Sequence, residues 1–135
     1  MGTVANFVLD SFALIAFFEK ERGAETVERL LDEAKKGQTQ LYLSLINGGE
    51  IYYSIFKSRG EQRAEEALEF IDQLPIKILE VDRNLIYSAA RIKSQYPLSY
   101  ADCFAAALAK QYNCPVLTGD PEFKKLQSEI KISWL

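Results

Sequence analysis

Short apolar runs alternate with longer helical stretches along this chain, and that alternation constrains its fold more than any other feature. Val4 to Leu9 reads as a strand, followed by a helix over Ser11 to Arg22 that Gly23 closes and a second helix over Ala24 to Lys36 that stops at Gly37. Gln40 to Leu43 reads as a strand, Leu45 to Lys57 as a helix ending near Gly60, and Glu61 to Gln73 as a helix stopped before Pro75. Ile76 to Leu79 is a third strand. A helix at about Arg83 to Gln95, a break at Pro97, a helix over Tyr100 to Asn113 and a strand at Val116 to Leu117 follow. Pro121 to Leu126 reads as a short helix and Ile130 to Ile132 as the last strand. Strands and helices in this alternation predict an α/β fold, a mainly parallel sheet flanked by helices on both faces. In such sheets ligands bind beyond the carboxyl ends of the strands.

The 135 residues, 48% of them apolar, suit one domain with one core, and no linker, low-complexity tract or internal repeat divides them. Residues 1–135 are therefore read as a single unit. No apolar run approaches the roughly 18 residues of a membrane span, and the opening MGTVANFVLD lacks the basic stretch of a secretory signal, so the expected location is the cytoplasm. Cys103 and Cys114 would stand about three turns apart on one helix, too far to bridge, and are read as reduced core residues.

The chain contains no histidine. Histidine is the usual general base near neutral pH and the commonest ligand of catalytic zinc, so any hydrolase built on this sequence must use carboxylates. A net charge of -3 argues against bulk electrostatic binding of nucleic acid while leaving room for a local basic groove.

Four acids stand out, each with a purely structural reading beside the chemical one. Asp10 follows Phe7-Val8-Leu9 and precedes a helix, where it would serve as an N-cap. Asp120 repeats that arrangement after Leu117-Thr118-Gly119, with Pro121 in the favoured first helical position. Asp102 lies in Ser99-Tyr100-Ala101-Asp102, which has the spacing of a capping box. Glu50 shares a helical face with the apolar Ile46 and Tyr53, which predicts an inward carboxylate in need of a partner, and no buried Arg or Lys is evident. Asn47 lies on the same face, and Ser44 would cap that helix. On a parallel sheet Asp10 and Asp120 share one edge, and the helices carrying Glu50 and Asp102 start beside it, so the four converge. Converging carboxylates repel unless protons or cations intervene, and oxygen-only ligands select Mg²⁺ or Mn²⁺. A metal so held activates water and shields phosphate oxygens, which matches phosphodiester hydrolysis.

The segments Phe7-Val8-Leu9-Asp10-Ser11, Ser44-Leu45-Ile46-Asn47-Gly48-Gly49-Glu50, Leu98-Ser99-Tyr100-Ala101-Asp102-Cys103 and Leu117-Thr118-Gly119-Asp120-Pro121-Glu122-Phe123 occur in the order found in PIN domains. Over essentially its full length the chain resembles that family, and within it the VapC-like ribonuclease toxins of toxin–antitoxin pairs. The resemblance implies a parallel α/β sheet, RNA cleavage, and an acidic pocket of Asp10, Glu50, Asp102 and Asp120 for Mg²⁺ or Mn²⁺, with Asp10 and Asp102 first among the direct ligands. It implies supporting roles for Ser11 and Thr118, which would orient the acids or a water, and for Asn47, which would do the same for Glu50. It also implies a homodimer bound to an antitoxin segment.

The helix from Ser11 carries Phe12, Leu14, Ile15, Phe17 and Phe18 on more than one face, so it is either wholly buried or partly covered by a partner, in a groove that Tyr52, Tyr53 and Phe56 would extend. Lys57, Arg59 and Arg63, and the pair Lys124-Lys125, are read first as solvated surface and second as contacts to RNA phosphates. Gly48-Gly49 is unusual within a helix and calls for a close helix contact or a bend. The competing function is a module that binds RNA or a partner without cutting, its acids serving as caps. A haloacid dehalogenase-type phosphatase would want a second Asp where Phe12 stands. A phosphoryl-receiver domain would want an acidic pair and a late Lys that are not clearly placed here.

Overall fold

The computed structural model describes residues 5–135, so Val4, expected in the first strand, lies outside the described residues. Five strands, β1 (Ala5–Leu9), β2 (Thr39–Ser44), β3 (Ile76–Leu79), β4 (Val116–Thr118) and β5 (Ile132–Trp134), form one sheet in the order β3-β2-β1-β4-β5, and every pairing is parallel. The chain winds outward from β1 through β2 to β3, then crosses to the other side of β1 for β4 and β5. The crossing puts a topological switch point between β1 and β4, where the connections leave in opposite directions and open a crevice.

The period of two decides which face each strand residue serves. Leu9, Leu41, Leu43 and Leu117 point into one core with the helices α1 (Ser11–Phe18), α2 (Ala24–Lys35), α3 (Leu45–Arg59) and α4 (Glu61–Gln73). Val8, Tyr42 and Val116 point into the other with α5 (Arg83–Gln95), α6 (Tyr100–Tyr112) and the short 3₁₀ segment Pro121–Leu126. The sheet is thus dry on both faces at its centre, in β2, β4 and the end of β1, which is why Phe7-Val8-Leu9 and Val116-Leu117 read as apolar runs.

Several boundaries differ from the sequence reading, those of β2, α3 and β4 by one or two residues, and two others have a visible cause. Helix α1 ends at Phe18, not Arg22, because Lys20 adopts a left-handed conformation (φ 56°) and the Glu21 amide folds back onto the Ala16 carbonyl. The last strand starts at Ile132, not Ile130. Ile130 is buried, but its amide is used by the Leu126 carbonyl and it cannot join the ladder. The two glycines of α3 also behave differently from expectation. A Cβ at Gly49 would meet nothing within 4 Å and one at Gly48 only Leu45 Cδ1 at 4.0 Å, and α3 runs unbroken through both, so no close helix contact requires them.

Candidate active site

The register aligns the carboxyl ends of three neighbouring strands, with Leu9 opposite both Leu43 and Leu117. The next residues on β1 and β4 therefore emerge side by side at the switch point. Asp10 is only 1% exposed. Its Oδ1 accepts the Ala13 amide at 2.9 Å, capping α1, and its Oδ2 accepts the Thr118 hydroxyl. Thr118 in turn accepts the Asp120 amide through Oγ1 at 3.0 Å, and Asp120 Oδ1 caps the 3₁₀ segment by accepting the Glu122 amide at 2.9 Å. One hydroxyl thus ties the two strand-end acids into a single chain of hydrogen bonds, Asp120 N–H to Thr118 to Asp10.

Asp102 sits in the first turn of α6, where Ser99 Oγ accepts its amide at 3.2 Å. Asp10, Ser44, Ser99 and Asp120 all cap as read from the sequence, whereas no bond from the Ser99 amide to the Asp102 carboxylate completes the capping box, and the carboxylates are left facing one cleft of about 420 Å³ that Asp10, Glu50, Asp102 and Asp120 line together. Burial pushes the Asp10 carboxyl from its ordinary 3.8 up to about 7, and the charges of Asp102 and Asp120 push the same way against the hydrogen bonds from Thr118 and Ala13. Asp102 rises to about 6, again chiefly through burial and then through Asp120, Glu50 and Glu122. The acids therefore sense one another, and no Lys or Arg lines the cleft among the described residues.

Glu50 differs from expectation. The inward face of α3 carries Asn47, Gly48, Ile51 and Ile55, whereas Ile46 and Tyr53 are exposed. The apolar neighbours of Glu50 do not mark a buried face, and the carboxylate is half-buried at the cleft wall, with the Tyr53 hydroxyl donating to Oε2 at 3.3 Å. Asn47 does not orient Glu50 either. Its Nδ2 donates to Ser11 Oγ at 3.1 Å and to the Ala101 carbonyl at 3.3 Å, tying α1, α3 and α6 together below the acids. Ser11 returns a long bond to the Asn47 carbonyl at 3.4 Å, so it supports the helix junction and bonds no acid. Asn47 Oδ1 is buried without a partner, an acceptor oxygen left free beside this junction.

Six cleft residues, Phe12, Ile15, Tyr53, Ser54, Ser99 and Glu122, are not marked as cleft residues by the sequence. Glu122 faces the cleft from two positions past Asp120 and adds to the charge felt by Asp102, while pairing with Lys125 on its outer side. Its place in the first turn after Asp120-Pro121 is the signal that could have found it. Phe12 and Tyr53 line the same cleft, so α1 spreads its apolar residues over three surroundings. Ala13, Leu14 and Ala16 enter the core, Phe12 and Ile15 face the acids, and Phe17 and Phe18 face a separate groove with Ile55 and Phe70. None of Tyr52, Tyr53 and Phe56 lines that groove, which α3 enters through Ile55 and Arg59 instead. Of the basic residues, Arg59 and Arg63 line the aromatic groove, Arg59 paired with Glu19 at 2.6 Å, and Lys125 is spent on Glu122 and the Pro97 carbonyl.

No three acids or thiols among the described residues are gathered tightly enough to hold a metal ion as they stand. The donor chemistry nonetheless fits one. The side chains lining the cleft offer oxygen donors alone, carboxylates with serine and tyrosine hydroxyls beside them, two of the carboxyls are held away from their ordinary ionisation, no Lys or Arg stands among them, and that set suits a hard divalent ion. Cys103 and Cys114 are buried free thiols, both raised by burial, Cys114 to about 11, and neither belongs to the site.

A parallel α/β domain with its acids gathered at the switch point is a distinct class of architecture. The PIN domain family model matches residues 7–129, and the chain belongs to that family. Its fold is that of VapC-type toxins. It superposes on the DNA-bound VapBC of Salmonella typhimurium with a TM-score of 0.74 at 20% identity, covering 96% of this chain and 98% of that one. VapBC2 of Rickettsia felis, bound to a promoter DNA fragment, gives 0.73 at 16% identity over 96% and 99%. VapC20 of Mycobacterium tuberculosis, a sarcin-ricin loop cleaving toxin, gives 0.73 at 13% identity over 96% and 99%. No curated protein matches by sequence.

Proposed function

We propose that this chain is an endoribonuclease dependent on Mg²⁺ or Mn²⁺, the toxin of a toxin–antitoxin pair, acting in the cytoplasm as a homodimer. The observation that carries the reading is the convergence of Asp10, Glu50, Asp102 and Asp120 on one cleft without a balancing cation, in a chain with no histidine. Asp10 and Asp102 would be the direct ligands, with Glu50 and Asp120 completing the acidic ring. The bound ion would lower the pKa of a water and shield the phosphate oxygens. Thr118 holds the Asp10 carboxylate in a fixed orientation by donating to Oδ2, and Ser99 sets the turn from which Asp102 projects. Hydrolysis adds a water oxygen to phosphorus, breaks one P–O bond, and moves the water's proton to the departing oxygen by way of a cleft carboxylate.

The groove of Phe17, Phe18, Ile55 and Phe70, flanked by Arg59 and Glu66, would take the apolar face of an antitoxin helix. No helix among the described residues is long and apolar enough to cross a membrane.

A second reading, a module that binds RNA or a partner without cutting, draws on the fact that Asp10 and Asp120 each cap a helical segment and that no metal cage is preformed among the described residues. Cleavage of end-labelled cellular RNA by purified protein in Mg²⁺, Mn²⁺ or EDTA decides between them. Metal-dependent cutting lost in Asp10→Asn and Asp102→Asn supports the nuclease, and no cutting under any condition supports the module.

A further inference from the structure

We infer that Phe12 and Tyr53 are nucleobase platforms, which seat an unstacked base of single-stranded RNA beside the acids; this rests on the nuclease reading above. The cleft has no Lys or Arg with which to grip a phosphate, and its charges repel the RNA backbone. Any lining side chain that holds RNA inside it must therefore be uncharged. Phe12 is 41% exposed and Tyr53 54% exposed, and they come from different helices, α1 and α3, to line the same cleft as Asp10 and Asp120. Exposed rings beside a polar reacting centre offer flat faces to any base, and stacking of this kind works without a phosphate contact.

Both rings are held in place by the elements that carry the acids. A Cβ at Gly119 would lie 2.4 Å from Phe12 Cε1 and 2.9 Å from Cζ, so the ring rests directly against the backbone of the residue before Asp120, in space that only glycine leaves open. Tyr53 is held by its hydroxyl on Glu50. A double-stranded RNA keeps its bases stacked on each other and has none to offer, so the pair of platforms selects loops and single strands.

The test is binding of a fluorescent single-stranded RNA of about 12 nucleotides, with EDTA so that nothing is cut and with enough salt to screen the cleft acids, to the full chain and to five variants. Phe12→Ala and Tyr53→Leu should each weaken binding roughly tenfold. Phe12→Tyr should stay within about twofold of the parent, because it keeps the ring. Gly119→Ala should weaken binding by displacing the ring, and should add nothing further in the Phe12→Ala background. Parental affinity in Phe12→Ala, no binding of single strands by the parent, or equal binding of the matching duplex would each overturn the inference. So would unchanged RNA affinity accompanied by loss of self-association in Phe12→Ala, since the rings would then cover a second copy of the chain. The two proposals separate cleanly. Single-strand binding through Phe12 without cleavage in any metal would remove the nuclease and keep the platforms. Metal-dependent cleavage with an unchanged KM in Phe12→Ala would do the reverse.

Discussion

Helices α1 and α3 wall two hollows of similar size, and the hollows treat charge in opposite ways. In the aromatic groove Arg59 meets Glu19, and Arg63 and Glu66 stand at its rim, so positive and negative groups occur together around phenylalanines. In the acidic cleft four carboxyl groups, those of Asp10, Glu50, Asp102 and Asp120, face one another with no cation among the lining residues, while Glu122 at the exposed edge is paired with Lys125. A fold gains nothing from leaving such charge unbalanced, because repulsion and desolvation both work against it. Balanced charge around apolar rings suits a docking surface, whereas unbalanced buried charge marks a place where something is to be bound or done.

The largest expected effect separates the two hollows by chemistry. Asp10→Asn and Asp102→Asn should each reduce RNA cleavage at least about 100-fold, while thermal melting stays level or moves upward. Asn caps a helix as well as Asp does, so Asp10→Asn keeps the bond from Ala13 while removing a charge that burial disfavours. A variant that loses cleavage only because it unfolds would break the comparison, and circular dichroism of each variant checks this.

The next effect concerns pH. Asp10 titrates near 3.8 when unfolded and near 7 in the folded chain, so the folded state holds its proton longer. Stability from this group is fully present below about pH 4 and is lost as pH rises towards 7, by roughly 4 kcal/mol if the whole shift is expressed. Asp102, raised to about 6, acts in the same direction. The metal-free protein should therefore melt at a lower temperature at pH 7 than at pH 5, and saturating Mg²⁺ should recover the loss at pH 7 through binding to the folded state. Glu19→Gln in the groove should change little at either pH, since exposed pairs contribute under about 1 kcal/mol. A melting curve flat from pH 5 to pH 7 in EDTA would remove the distinction between the hollows.

A smaller effect tests the groove alone. Phe70 is 48% exposed and packs against Phe17 and Phe18, with ring centroids 6.5 and 5.9 Å away. Phe70→Ala should cost about 1 kcal/mol of stability and leave the rate of RNA cleavage unchanged, as read by urea unfolding and a gel assay. A loss of cleavage there would join the two hollows into one functional surface.

Much of this arrangement was legible in the sequence. Glu61 to Gln73, Ile76 to Leu79 and Arg83 to Gln95 have the expected limits, because Pro75 and the capping Asp82 punctuate them locally. The strand ends carrying Asp10 and Asp120 were legible because each acid both ends an apolar run and caps the segment that follows. What escaped depends on contacts between distant segments. The turn at Lys20 carries no glycine or asparagine to announce it, and the burial of Ile130 mimics a strand although its amide is taken by Leu126. The surroundings of Glu50 were misjudged because Ile46 and Tyr53 are apolar yet exposed, and sequence periodicity alone cannot distinguish a core face from a cleft wall. The partners of Asn47 were hidden for the same reason, since Ser11 and Ala101 come near it only after α1, α3 and α6 have packed.

The two glycines beside Glu50 give the smallest and sharpest test. Gly49 is exposed, lies inside α3, and has no atom within 4 Å of the Cβ that an alanine would bring. Helix propensity then predicts that Gly49→Ala stabilises the protein by about 0.5–1 kcal/mol, because the unfolded chain loses freedom while the folded chain meets no obstacle. Urea unfolding reads the gain directly. If cleavage is unchanged as well, the glycine has no role in the cleft. If stability rises while cleavage falls, the missing side chain matters to the substrate rather than to the fold, and the wall of the cleft extends along α3 past Glu50.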